Sequence, residues 1–160
     1  MNTHPIMSEI MAANALARGG DRTGARAKFD AVWSRFADDP DPVLECALAH
    51  HMADAQDDPA EELAWDIRAL DAALRCTDAD AQRHQPAVSI AGFMPSLHTN
   101  LAEDYFKLGD FARSREHLAS ARSFVGNLAH DPYGHMIRGG MERLAKKLDA
   151  QANGSGVQPT

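Results

Sequence analysis

Three histidines and one aspartate are the residues of this chain whose types and spacing best suit chemistry. His50, His51 and Asp54 lie within one helical turn of each other along the sequence. At roughly 100° per residue a helix would place them on one side, which we expect to face inward. His98 falls among the apolar residues of a later helical segment and is expected to be buried too. Imidazoles beside a carboxylate are a ligand set for zinc or iron, so these four residues predict a buried metal or small-ligand pocket.

The same four residues have a structural interpretation, a polar core in which Asp54 accepts hydrogen bonds from the histidines. No His-Glu-x-x-His or Cys-x-x-Cys spacing accompanies them. Cys46 precedes His50 by one helical turn, a spacing that allows a thiolate–imidazole pair, although a cysteine on an alanine-rich helix more often packs. The pattern leaves the structural and the ligand-binding interpretations open.

Helices must position these residues. The chain is rich in alanine and poor in valine and isoleucine, which favours helices over strands. Apolar residues spaced by three and four predict four helices in two antiparallel pairs, over residues 6–18, 23–37, 42–56 and 59–75. A third pair is predicted from Pro95 to about Gly126, and a last helix from Pro132. The sequence therefore predicts an all-α protein.

The apolar spacing also predicts which side of each helix is buried. In the segment 59–75 the inner stripe is Leu63, Ile67, Leu70 and Leu74. In the last helix it is Tyr133, Ile137, Leu144 and Leu148. Between the segment 59–75 and the third pair, residues 77–94 are predicted to form a long connection with one short helix near 78–84. We expect a single domain over residues 1–151 and a flexible tail over 152–160.

Composition limits the classes of function. The 160 residues contain 16 lysines and arginines against 23 acids, for a net charge of -7. This balance opposes binding to the phosphate backbone of nucleic acids. No apolar run is long enough to span a bilayer, and the two cysteines do not make a disulfide framework. We therefore expect a cytoplasmic protein that binds neither nucleic acid nor membrane.

The third helix pair carries the most specific pattern. Between Asn100 and Phe111 it has a leucine, a small residue, two aromatic residues and then Gly109-Asp110 before an aromatic residue, with Ser114, Leu118 and Ala121 following. This order resembles the tetratricopeptide repeat family.

The first pair resembles the same family through Ala13, Leu16, Gly20-Asp21, Ala25 and Phe29. The middle pair departs from it, because Asp57-Asp58-Pro59 replaces the Gly-Asp turn and histidines replace small and apolar residues. Three pairs are about the number of stacked repeats that the family needs for stability.

The resemblance implies an α-α superhelix of three antiparallel pairs with a capping helix, and a concave groove lined by the first helix of each pair. The family uses this groove mainly to bind peptides or partner helices, without catalysis or a cofactor. The polar residues expected along it are Asn14, Glu45, Gln56, Glu103 and Lys107. Its acidic members favour a basic or polar ligand.

Two hypotheses of function follow. The first is a non-catalytic module for protein or peptide interaction, in which homo-oligomers are also allowed. The second is a protein that binds a metal or small molecule, and could be an enzyme, through His50, His51, Asp54 and His98. Trp65 falls off the expected core stripe, which predicts either a binding surface on the outside of the protein or a cover formed by residues 77–94.

Overall fold

A computed structural model describes residues 4–36, 38, 41–84 and 89–155. The described residues form helices and contain no strand, so the all-α prediction is confirmed. The α-helices are α1 (Pro5–Arg18), α2 (Arg22–Phe36), α3 (Pro42–Asp54), α4 (Pro59–Arg75), α5 (Asp78–His84), α6 (Ile90–Lys107), α7 (Phe111–Ser123) and α8 (Pro132–Gly154). A short 3-10 helix (Val125–Asn127) lies between α7 and α8. Among these described helices, none has the length and apolar character that crossing a bilayer requires.

The chain divides into two compact units, Met1–Ile90 and Ala91–Thr160. The prediction of one domain over residues 1–151 stays a prediction. In the first unit, α1 packs against α2 and α3 packs against α4. The fully buried side chains of Ile10, Phe29, Leu48 and Met52 join α1, α2 and α3 in one core. Burial of each such side chain contributes about 1.5–3 kcal/mol, so this core stabilises the packing of α1, α2 and α3.

The turns after α1 and α6 have the same backbone geometry. Gly20 and Gly109 adopt the left-handed conformation, with φ of 96° and 79°. The next amide, of Asp21 or Asp110, donates to the carbonyl of Leu16 or Tyr105. These bonds define the same C-terminal helix motif in both places. The carboxylates of Asp21 and Asp110 then accept backbone bonds from the first turn of α2 and α7, which fixes where each second helix begins.

The inner face of α4 differs from the prediction. Ile67 and Leu74 are 39% and 66% exposed, and the buried residues of the helix are Asp66, Ala69, Ala72 and Ala73. The predicted stripe is therefore wrong in these two positions. Alanines allow α4 to approach α3 closely, and this close contact leaves the larger apolar side chains outside.

The segment after α4 contains the predicted short helix, α5, which spans 78–84 as expected. The hydroxyl of Thr77 donates to Asp80, and the carboxylate of Asp78 accepts from the amide of Ile90 at 2.8 Å. This carboxylate, twelve residues earlier in the chain, caps α6 at Ile90, five residues before Pro95, so the prediction that the helix starts at Pro95 is wrong. Residues 85–88 lie outside the described residues.

In the second unit, α6 and α7 form a hairpin that packs with α8. The hydroxyl of Ser114 in α7 donates to the carbonyl of Ala102 in α6 at 2.6 Å. Ile137, Leu144 and Leu148 of α8 are buried as predicted, whereas Tyr133 is 47% exposed, so the stripe is wrong at that position. Tyr133 lies in the first turn of α8, and the buried residues that α8 contributes to the core cluster of this unit begin at Ile137. The helix reaches Gly154, three residues into the predicted tail, and residues 156–160 lie outside the description.

Candidate functional site

The last turn of α3 brings His50, His51 and Asp54 together. One potential ligand atom from each residue lies within 4.8 Å of the others. Both histidines are partly buried, because α3 is enclosed by α1, α2 and α4. Asp54 is exposed, so the prediction that it faces inward is wrong. The neighbouring Ala55 occupies the buried position instead, which avoids the cost of desolvating a carboxylate.

Asp66 of α4 joins this cluster from the opposite helix. Its side chain is 2% exposed, and its Oδ1 lies 3.8 Å from Nδ1 of His50. Burial by itself would lower the pKa of His50, but the carboxylates of Asp66 and Asp54 outweigh burial and raise it. Asp66 was not predicted from the sequence, because the apolar spacing of α4 indicated a different inner face.

His51 has a different electrostatic environment. Burial, together with the neighbouring His50, lowers the pKa of His51 to about 4. Its Nδ1 is buried and has no hydrogen-bond partner among the described residues. The ring centroids of His50 and His51 are 5.3 Å apart. His51 is therefore a neutral imidazole at pH 7, the form that binds metal ions.

His98 belongs to the second unit and pairs there with His117 of α7. The two Nδ1 atoms are 3.0 Å apart, so one ring donates and the other accepts. His117 stacks on Tyr105 and His98 stacks on Phe124. Burial lowers the pKa of both histidines. The hydrogen bond between the two rings is lost if both Nδ1 atoms are protonated. His117 was not identified from the sequence, because it lies on the second helix of its pair, whereas the site was expected on the first helices.

A concave surface extends along α4 and includes Glu45 of α3, and the cavity that it forms has a volume of about 580 Å³. We call it the α4 surface. Its lining includes Glu45, Glu61, Trp65, Ile67, Arg68, Asp71 and Arg75.

Trp65 anchors the α4 surface to the first helix pair. It is partly buried, and its ring meets the edge of Trp33 of α2 with centroids 5.2 Å apart. The guanidinium of Arg68 lies over both rings, 4.6 Å from Trp33 and 5.4 Å from Trp65. Trp65 is therefore held rigidly, while Ile67 beside it is exposed.

The predicted groove residues lie in several places. Glu45 lines the α4 surface and accepts from Arg75 at 2.6 Å. Asn14 is partly buried on α1, and the amide of Gln56 donates to the carbonyl of Met52 at 2.9 Å. The side chain of Gln56 is thus hydrogen-bonded to the backbone of the last turn of α3.

The remaining two groove residues, Glu103 and Lys107, lie on α6 in the second unit. Nζ of Lys107 lies 3.6 Å from the buried carboxylate of Asp104. Of the five groove residues, only Glu45 contributes to the α4 surface.

Neither cysteine is a candidate nucleophile. Burial raises the pKa of Cys46 to about 12 and that of Cys76 to about 11. Their thiols are therefore protonated at neutral pH, and a protonated thiol is a poor nucleophile and a poor metal ligand. The raised pKa of the Cys46 thiol argues against the thiolate–imidazole interpretation of Cys46 and His50.

A smaller depression of about 320 Å³ is lined by His4, Asp41, Arg83 and His84. Nε2 of His84 lies 2.9 Å from Asp41, whose carboxylate also caps the first turn of α3. The Asp41 carboxylate therefore already has partners, in the backbone of the first turn of α3 and in His84.

Fold and sites together define an all-helical protein with helix hairpins, a histidine and carboxylate cluster on α3, and a concave surface along α4. In comparisons with known proteins, no family model, curated protein or solved structure matched this chain.

Proposed function

We propose that this protein is a non-catalytic, tetratricopeptide-like interaction module of the cytoplasm, and that its α4 surface binds a basic amphipathic peptide or helix. The observation that carries the proposal is the outward apolar stripe of α4. Ile67 and Leu74 are exposed and lie seven residues apart, so they share one side of the helix. Exposed apolar side chains at helical spacing, next to a fixed tryptophan, are typical of a surface that binds a partner helix.

The repeat-like character of the scaffold supports the same proposal. The turns after α1 and α6 share their glycine conformation, their backbone bonds and the aspartate that caps the next helix. A scaffold of similar hairpins presents helix faces to which a partner can bind.

The charge of the α4 surface favours a basic partner. Three carboxylates, of Glu45, Glu61 and Asp71, outnumber the guanidinium groups of Arg68 and Arg75. Arg75 pairs with Glu45 and Arg68 lies over the tryptophan rings, so both cations are engaged within the chain. Glu61 and Asp71 are exposed carboxylates that a lysine or arginine of the partner can approach.

The two tryptophans of the chain provide the assay, because Trp65 lines this surface and Trp33 contacts its ring. The probe is a synthetic helical peptide with leucines on one side and lysines on the other. The control peptide replaces each lysine with glutamate. We expect the basic peptide to change tryptophan emission in a saturable manner, with weaker binding at higher salt, and the acidic peptide to leave the emission unchanged.

Substitutions locate the binding. We expect I67S, and separately the double reversal E61K with D71K, to weaken the basic peptide about tenfold or more. The matched control is M136S, because Met136 is 57% exposed on α8 of the second unit. Equal binding of both peptides, no binding of either, or unchanged affinity in the α4 variants would overturn the proposal. A dimer that I67S dissociates in sedimentation experiments would replace the peptide with a second copy of the chain.

A further inference from the structure

The end of α3 presents two imidazoles and a carboxylate at a spacing that suits a metal ion. Asp54 follows His50 by four residues and His51 by three, so all three side chains reach the same side of the helix. Their ligand atoms lie within 4.8 Å of one another. Ligands of a tetrahedral zinc ion lie about 3.3 Å apart, given bond lengths of about 2.0–2.2 Å. Small rotations of these side chains would close that difference.

The histidines carry features that a purely structural role leaves unexplained. Nδ1 of His51 is buried without a hydrogen-bond partner in the part of the chain that the structure describes. A buried polar atom of this kind requires an explanation, and a bound ion is one. Asp66 lies behind His50, 3.8 Å from its Nδ1. In metal sites, a carboxylate at this position holds the ring and leaves Nε2 to bind the metal.

The donor set selects the class of metal. Calcium and magnesium prefer shells made of oxygen, and copper(I) prefers thiolates and thioethers. Two nitrogens and one carboxylate oxygen suit divalent first-row ions such as zinc. Asp54 is exposed, so a metal held by these three residues would keep a coordination position open to water or another ligand.

We propose that His50, His51 and Asp54 bind one divalent transition-metal ion of the zinc type, and that Asp66 is a positioning residue for His50. This site is distinct from the α4 surface, and neither proposal depends on the other.

The experiment uses the full chain without a histidine tag. Zinc affinity is measured by competition with a chromophoric chelator, and cobalt(II) serves as a spectroscopic probe. We expect one zinc per chain, a rise in the thermal midpoint with zinc concentration, and a visible cobalt spectrum typical of four or five ligands. Absence of stoichiometric zinc binding to the wild-type chain would overturn the proposal.

Variants test the assignment of each ligand. We expect D54N to weaken zinc at least about tenfold with the fold retained, because Asp54 is exposed. H51Q should weaken it as well, and D66N should weaken zinc about 10–100-fold without changing the stoichiometry. The controls are D149N and H135Q, which replace an exposed acid and an exposed histidine of α8.

The variants can also contradict the proposal. If D54N binds zinc as tightly as D149N does, Asp54 is not a ligand and the site is wrong. If H117Q abolishes binding while D54N does not, the zinc belongs to the His98 and His117 pair. Should H51Q fail to fold, D54N still decides between these outcomes.

Discussion

Two glycines of α8 should respond in opposite directions to the same substitution. A Cβ on Gly134 would lie far inside the contact distance of the Ala129 carbonyl oxygen, and 2.9 Å from Nη1 of Arg138. A Cβ on Gly139 would meet only the flexible end of Arg143, at 3.1 Å. We therefore expect G134A to destabilise the protein and G139A to stabilise it.

The magnitude follows from the contacts around the start of α8. The amide of Gly134 donates to the capping carboxylate of Asp131 at 2.7 Å. The guanidinium of Arg138 donates to the carbonyls of Ala129 and Leu128 at 2.9 and 2.8 Å. Moving the Ala129 carbonyl away from a new Cβ disturbs both arrangements. A lost cap costs about 1 kcal/mol, and each hydrogen bond from a charged group about 1.5–3 kcal/mol.

Alanine gains about 1 kcal/mol over glycine inside a helix. Because the arginine bonds are partly exposed, we take the lower end of their range. We expect G134A to lose about 3 kcal/mol of unfolding free energy, which lowers the thermal midpoint by about 6–12 °C in a chain of this size. G139A should gain up to about 1 kcal/mol.

The assay is urea denaturation followed by far-UV circular dichroism, with thermal melting as a second measurement. The wild-type chain is the reference. G139A is the matched control, because Gly139 lies in the same helix as Gly134 but its Cβ would contact only the end of Arg143. If G134A is as stable as G139A, the Ala129 carbonyl does not approach Gly134 closely, and the reasoning about this turn is refuted.

Three further predictions concern the core, the histidine pair and the cysteines. F29A should lose about 3–5 kcal/mol of unfolding free energy in urea, because Phe29 is fully buried, and a loss below about 1 kcal/mol would contradict that burial. The pKa values of His98 and His117 are lowered by folding, so their contribution to stability is complete above pH of about 6.5 and is lost as the pH falls from there towards the folded-state values. The stability difference between the wild-type chain and the double variant H98Q with H117Q should therefore change in favour of the variant between about pH 7 and pH 5, and a difference independent of pH would refute this. Cys46 and Cys76 should react with a disulfide reagent at pH 8 much more slowly in the folded than in the urea-unfolded chain, because burial raises both pKa values, to about 12 and 11, and equal rates would contradict it.

Local interactions explain what could be predicted from the sequence. The turn at Gly109-Asp110 needs a left-handed residue followed by a capping carboxylate, and both lie next to each other in the chain. The same is true of α5, where Thr77 and Asp80 bond to each other. Helices and turns of this kind depend on neighbouring residues, so the all-α class and most boundaries could be predicted without knowing the packing.

The face that each helix buries depended on its neighbour. In α4 the apolar spacing of Ile67 and Leu74 predicted an inner stripe, but the close contact with α3 selected alanines and Asp66. Apolar periodicity indicates that a helix has two unlike sides, and it does not show whether the larger side chains meet this chain or a partner.

The candidate sites divide in the same way. The sequence by itself determined that His50, His51 and Asp54 lie together, because a single helical turn carries all three. Only the tertiary structure decided that Asp66 stands behind His50, and that Trp33 and Trp65 meet under Arg68. The physical reason is that contacts within one turn follow from helix geometry, whereas contacts between helices depend on how closely their side chains allow them to pack.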